Sequence, residues 1–285
     1  MKIFLFFTFI LTIQIGFTQS VEPFQIYNSK GRKVSTKKFF RSIEKSDIIL
    51  FGEFHDNPII HWLQLKTAQY LNVKRGVVIG AEMIESDQQE VINKYLAGEI
   101  DQKGLDSSVL LWTNYKTDYK PIVDFAKEEK ISFYGTNVPR VHASFVYRHG
   151  LDELHASLDS EEKQFVAPLP IPYDENLPSY QAMLKMMGDH KPNPYFPMAQ
   201  AIKDATMAYF ILKYYDENKC FLHLNGAYHS NHYEGIYWYL KEYQFQGDIT
   251  TISTVQQSNV KQFENEYKGI ADFIIVVDEE MTKTH

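Results

Sequence analysis

The chain has 285 residues, a formal charge of −7 and 44% apolar side chains, so it can bury a large core without covalent staples. The acidic balance argues against nucleic acid and anionic membrane surfaces as partners. Cys220 is the single cysteine, which excludes an intramolecular disulfide, and its place in an apolar run reads as a small buried hydrophobe.

The first twenty residues read as a secretory signal peptide. Lys2 is a short basic start, Ile3 to Ile13 is an apolar stretch too short to span a bilayer, and Gly16, Thr18 and Ser20 fit cleavage after Thr18 or Ser20. Cleavage would leave about 265 residues and take the charge to −8, since Lys2 is the only charged residue before Glu22. No cysteine stands at the cleavage point, so a lipoprotein is not expected, and no later run is long enough for a membrane span. The expected product is exported, periplasmic or secreted.

A hairpin-like start, with Phe24 to Tyr27 turning at Asn28 to Gly31 towards Val34, precedes a helix over Thr36 to Lys45. Ile48-Ile49-Leu50-Phe51 then reads as a strand buried on both faces. Gly52 ends it, and Glu53 and His55 follow in the turn. Asn57 is suited to cap, and Pro58 to begin, a helix with Ile60, Leu63, Thr67 and Leu71 at helical spacing. Gly76 to Met83 is a second strand, ending near Glu82. Ser86 and Gln89 suggest a capping box for a helix that Gly98 closes. An aromatic, polar run from Trp112 to Tyr119 leads to a helix opened by Pro121, and Ile131 to Asn137 is a third strand followed by Val138-Pro139-Arg140.

Residues 141 to 197 carry seven prolines and a methionine-rich helical piece, Tyr180 to Gly188, and read as a lid insert rather than a separate domain. A long helix, Pro197 to Tyr215, returns to regular spacing. Cys220 to Asn225 is a further strand closed by Gly226-Ala227-Tyr228-His229, so two apolar runs each end in a Gly-x-x-His corner. Ile249 to Val255 and Phe273 to Val277 read as late strands at a sheet edge. Strands alternating with helices imply an α/β fold, with a central, mostly parallel sheet covered by helices on both faces. Residues 21 to 285 then form one domain, and right-handed crossovers bring Glu53, His55, Glu82, Asn137, Arg140 and His229 to one side of the sheet.

Two chemistries fit these residues. His55, His229, Glu53 and Glu82 offer mixed nitrogen and oxygen ligands for a divalent metal ion. In a metal-dependent hydrolase, Glu53 or Glu82 would serve as catalytic base. Haem instead needs an apolar slot, an axial ligand and cations for its propionates. Tyr180, Met183 and Met187 share a helical face, His190 follows, and Arg140 and Lys191 are the cations. Asp204 suits a hydrogen-bonded partner of a site histidine. No Gly-x-Ser-x-Gly elbow, Walker loop or dinucleotide fingerprint occurs.

Phe51 to Pro58 with His61 and Gln64 resembles the opening motif of the ChaN-like proteins. Trp112 to Pro121, Asn137 to Arg140, Ala199-Gln200 with Asp204 and Met207-Ala208, and Leu224 to His229 match in the same order. The resemblance runs from about Asp47 to Leu240. It implies haem binding in iron uptake, within a superfamily that includes Tiki-like proteases and resembles erythromycin esterases. The expectation is an exported haem-binding protein. Its alternative is the metal-dependent hydrolase, a Tiki-like protease or an esterase. The partner is haem or another small molecule, and a homodimer stays open.

Overall fold

The computed structural model describes residues 22–186 and 193–285. The expected leader, and Met187, His190 and Lys191, lie outside them. Among the described residues the strands are β1 (Phe24–Asn28), β2 (Lys33–Val34), β3 (Ile48–Glu53), β4 (Val77–Glu85), β5 (Phe133–Asn137), β6 (Cys220–Gly226), β7 (Ile249–Gln257) and β8 (Phe273–Asp278). The helices are α1 (Thr36–Ile43), α2 (Pro58–Arg75), α3 (Gln89–Ala97), α4 (Gln102–Ser108), α5 (Lys120–Glu128), α6 (Arg140–His149), α7 (Leu151–Ser157), α8 (Pro178–Met186), α9 (Tyr195–Lys213) and α10 (Ile236–Glu242). No helix among the described residues is long and apolar enough to cross a membrane.

One sheet runs in the order β2-β1-β8-β7-β3-β6-β4-β5. The strands from β8 to β5 are parallel, and β1 joins β8 antiparallel. The expected α/β sheet is therefore present. Its late strands are not at the edge, however. β7 lies beside β3, and β8 is covered by the N-terminal hairpin, because β1 uses β8's outer hydrogen bonds over five residue pairs.

Alternation along β3 divides the core. Ile49 and Phe51 face a cluster built with α1 to α5, while Ile48 and Leu50 face one built with α6 to α10. Residues 141–197 enter this second layer. Val146, Leu154, Val166, Ala167, Ile171 and Tyr180 are all buried in it, so the described part of the expected lid is a wall of the core. Each fully buried aliphatic side chain there contributes about 1.5–3 kcal/mol, which holds the segment down despite its prolines.

Local signals set the element ends. The Asn57 side chain accepts hydrogen bonds from the backbone of Ile59 (3.1 Å) and Ile60 (3.2 Å), with Pro58 in the first turn of α2. The capping box sits one residue earlier than expected, on Glu85 and Gln88. Gln89 is occupied elsewhere. Its amide donates to Phe133 O (3.0 Å) and accepts from Gly135 N (2.7 Å), pairing outward-facing groups of the edge strand β5. Ser86 donates to Phe165 O (2.7 Å), tying β4 to the second layer.

Candidate functional site

The two Gly-x-x-His corners meet at the centre of the sheet. β3 and β6 are neighbours in register, with Gly52 opposite Asn225 and Glu53 opposite Gly226. Glycine is required at position 52 because a Cβ there would lie 2.8 Å from Ile252 O and 3.0 Å from Ala227 Cα, both backbone. At Gly226 a Cβ would meet His55 Nε2 at 2.8 Å, so the imidazole rests directly on that glycine.

The first corner is a closed network. The buried Glu53 carboxylate accepts from His55 Nδ1 (2.8 Å), the Tyr119 hydroxyl (2.6 Å) and the Gln64 amide (2.5 Å). His61, one turn into α2, bonds Gln64 Oε1 (3.2 Å) and donates through Nε2 to His55 O (3.1 Å). Asn114 donates to the same carbonyl (2.6 Å) and to Asp118 (2.7 Å). The side chain of His55 is 38% exposed, whereas that of Glu53 is fully buried. Burial pulls the His55 pKa down, but the Glu53 hydrogen bond and the charge of Glu82 raise it overall. The Tyr119 phenol is pushed far up by burial and by Glu53, so it is a donor only.

The second corner is a charge sandwich. Glu82, on a bulged stretch of β4, accepts from Gly226 N (2.7 Å) and pairs with His229 Nε2 (3.1 Å). His229 Nδ1 bonds Asp204 of α9, and the Gln200 amide lies 2.9 Å from the same nitrogen. Burial opposes charge on His229, yet Glu82 and Asp204 together raise its pKa to about 10, so it is an imidazolium between two carboxylates. Glu82 is held well below the usual carboxylate range: the fields of His229 and His55 outweigh burial. Asp204 sits above its range because burial outweighs the His229 charge.

Glu53, His55, Glu82 and His229 therefore gather at one place. The expected divalent-metal site finds no support here: no group of three or more His, Cys, Asp and Glu among the described residues is arranged to hold a metal ion. The physical reason is saturation. Each oxygen of the Glu53 and Glu82 carboxylates is directed at an imidazole, an amide or a hydroxyl rather than at a shared point.

Above the network lies a cleft of about 870 Å³. Its floor includes Glu82 and Asn137. Leu110, Leu111 and Trp112 line it together with Arg140, Tyr147 and Arg148 of α6 and Phe196 and Lys203 of α9. Trp112 joins the two regions, its ring standing edge-on to His55 at 4.8 Å. Leu110 is 77% and Tyr147 41% exposed, so the cleft keeps apolar surface in water. Arg140, expected as a propionate partner, lines it. Tyr180 does not: it is buried with its ring stacked on Tyr173, and Met183 packs beside it against the second core layer. Tyr147, Arg148 and Lys203 also line the cleft, though no short-range motif marks them. Arg140, Ser144, Tyr147 and Arg148 recur at helical spacing on one face of α6, which was the available signal.

Over residues 39–240 the chain matches the family described as haem-binding uptake, Tiki superfamily, ChaN. No curated protein sequence matches it. Its fold is similar to ChaN of Campylobacter jejuni, from a structure of cofacial haem binding, with 20% identity and a TM-score of 0.67 over 89% of this chain and 96% of that one. A Bacillus cereus protein of 11% identity gives a TM-score of 0.52 over 89% of this chain and 94% of that one. Identities this low speak to the fold alone. The family match, spanning well over half of the sequence, places this chain in the ChaN family of haem-binding uptake proteins within the Tiki superfamily.

Proposed function

We propose that this chain binds haem in the cleft above the β3, β6 and β4 ends, and that it does so outside the cytoplasm in haem uptake. The observation that carries the reading is the make-up of the cleft. In a chain of net charge −7, Arg140, Arg148 and Lys203 gather around an apolar slot walled by Leu110, Leu111, Trp112 and Phe196. A flat apolar ring with two carboxylates needs that pairing. The volume of about 870 Å³ lies within the roughly 300–1,000 Å³ usual for small-molecule sites. Bound haem would supply a ferric iron, and Tyr147, whose phenol lines the cleft and is a suitable ferric ligand, would hold it. The family match and the haem bound by the Campylobacter relative support the same reading. Export rests on the Lys2 to Ser20 leader, and secreted protein should begin after Thr18 or Ser20 on N-terminal sequencing.

The test is titration of the purified chain with hemin, followed in the Soret region. A saturable shift is expected, and Tyr147→Phe should change its position. A spectrum matching free hemin at every ratio would overturn the reading.

One observation favours a second reading. His55 is half-exposed beside the cleft with Nδ1 held by a buried carboxylate, the arrangement of a general base. Ester hydrolysis abolished by His55→Ala would support it, and no turnover across an ester panel would remove it.

A further inference from the structure

β8 ends at Asp278, at the end of the sheet where the site lies, and the chain does not stop there. It turns through Glu279 N to Gln257 O (3.1 Å) and Met281 N to Asp278 O (3.1 Å), then reaches the β3 corner. Lys283 Nζ pairs with Asp56 at 2.8 Å, and Thr284 N donates to Asp56 O at 3.0 Å. The Thr284 hydroxyl donates to Asp118 at 2.5 Å, closing over the carboxylate that also holds Asn114. Asp118 belongs to a helical turn and Asp56 to the β3 corner, so the segment is tied to two separate parts of the site. The next residue, His285, lines the cleft beside Trp112 and Asn114.

We propose that residues 279–285 are a strap whose anchored end presents the His285 imidazole to the cleft as a ligand of the haem iron. The inference rests on the haem reading above and adds a residue to it. Imidazole is a good ligand for haem iron, and His285 is exposed and lines the cleft. An untied segment would have to lose its conformational freedom on binding. Thr284 and Lys283 have already fixed it. Thr284 is thus a positioning residue, acting through His285. Tyr147 of α6 and His285 of the strap both line the cleft, the one offering a phenol and the other an imidazole.

Hemin titration of the full chain, with spin-state bands recorded beside the Soret maximum, tests this. The wild-type protein is expected to show an imidazole-ligated spectrum. His285→Ala should still bind, with affinity lower by roughly tenfold or more, and should shift towards high-spin bands. Added imidazole should restore the wild-type bands in His285→Ala. Thr284→Ala should reproduce part of the loss and Thr284→Ser should recover it, because serine keeps the hydroxyl that reaches Asp118. A His285→Ala protein with wild-type affinity and bands overturns the strap ligand while leaving haem binding intact. A wild-type protein whose spectrum matches free hemin overturns the haem reading and the strap with it.

Discussion

The network at the strand ends and the cleft above it use charge in opposite ways. In the network, carboxylates and imidazoles are buried and directed at one another: Glu53 to His55, Glu82 and Asp204 to His229. In the cleft, Arg140, Arg148 and Lys203 face solvent-accessible space and form no ion pair among the described residues. Buried pairs are costly to break because the survivor is left unsolvated, while rim charges are screened and individually weak. Mutations in the first region should therefore read out as stability, and mutations in the second as ligand affinity.

The largest effect that can break this contrast is expected at His229. Replacing it with alanine leaves Glu82 and Asp204 buried without their cation, which should cost about 3–5 kcal/mol in urea unfolding. The pH dependence carries a matching signature. His229 has a folded pKa of about 10 against 6.5 in the open chain, so its contribution is complete below about pH 6.5 and is lost as pH rises towards 10. Glu82, held below its ordinary 4.5, contributes above that value and loses its contribution as pH falls further. Melting temperature should therefore decline on the alkaline side, and that limb should flatten in His229→Ala. An unchanged alkaline limb would place the cation elsewhere.

Gly52→Ala should come next, at about 1–3 kcal/mol, since the atoms its Cβ would strike are backbone on β7 and on the Gly226 corner. Hemin binding by the folded fraction should survive if the network acts only as a frame. A smaller effect is expected from Gln89→Ala, which unpairs Gly135 N and Phe133 O on the β5 edge. About 0.5–1.5 kcal/mol should be lost, and sedimentation should show concentration-dependent association as the bared edge recruits strands. The smallest stability change belongs to the cleft. Arg148→Ala should leave the melting temperature unaltered and weaken hemin binding by about 0.2–1 kcal/mol, with a loss that shrinks at high salt. A Kd independent of salt would show that propionates bind elsewhere.

The Glu53–His55 and Glu82–His229 corners were legible from short-range pattern: apolar runs, a terminal glycine, and a polar residue just beyond. That pattern is physical. A strand buried on both faces must be apolar, and polar groups can appear only where it leaves the sheet. The Asn57-Pro58 helix start was legible for a similar reason, since capping is a contact between residues two or three apart. The proposed haem face was not legible in this way. The Tyr180 and Met183 face has helical spacing, but spacing states only that residues share a side. It does not state what the side meets, and in the structure Tyr180 meets Tyr173 and the core.

Composition and periodicity alone determined the α/β class, the parallel core of the sheet and the place where polar groups gather, because each follows from burial along a single element. Tertiary structure decided three things. It put β7 and β8 inside the sheet, because the N-terminal hairpin returns over 200 residues of chain to pair with β8. It turned four metal-competent side chains into two hydrogen-bonded pairs, because the partners Tyr119, Gln64, Asp204 and Gly226 N arrive from distant segments. It also brought the arginines of α6, Leu110, Trp112 and His285 to line one cleft. Such pairings are set by packing between elements, and no local pattern encodes the distance from Asp118 to Thr284.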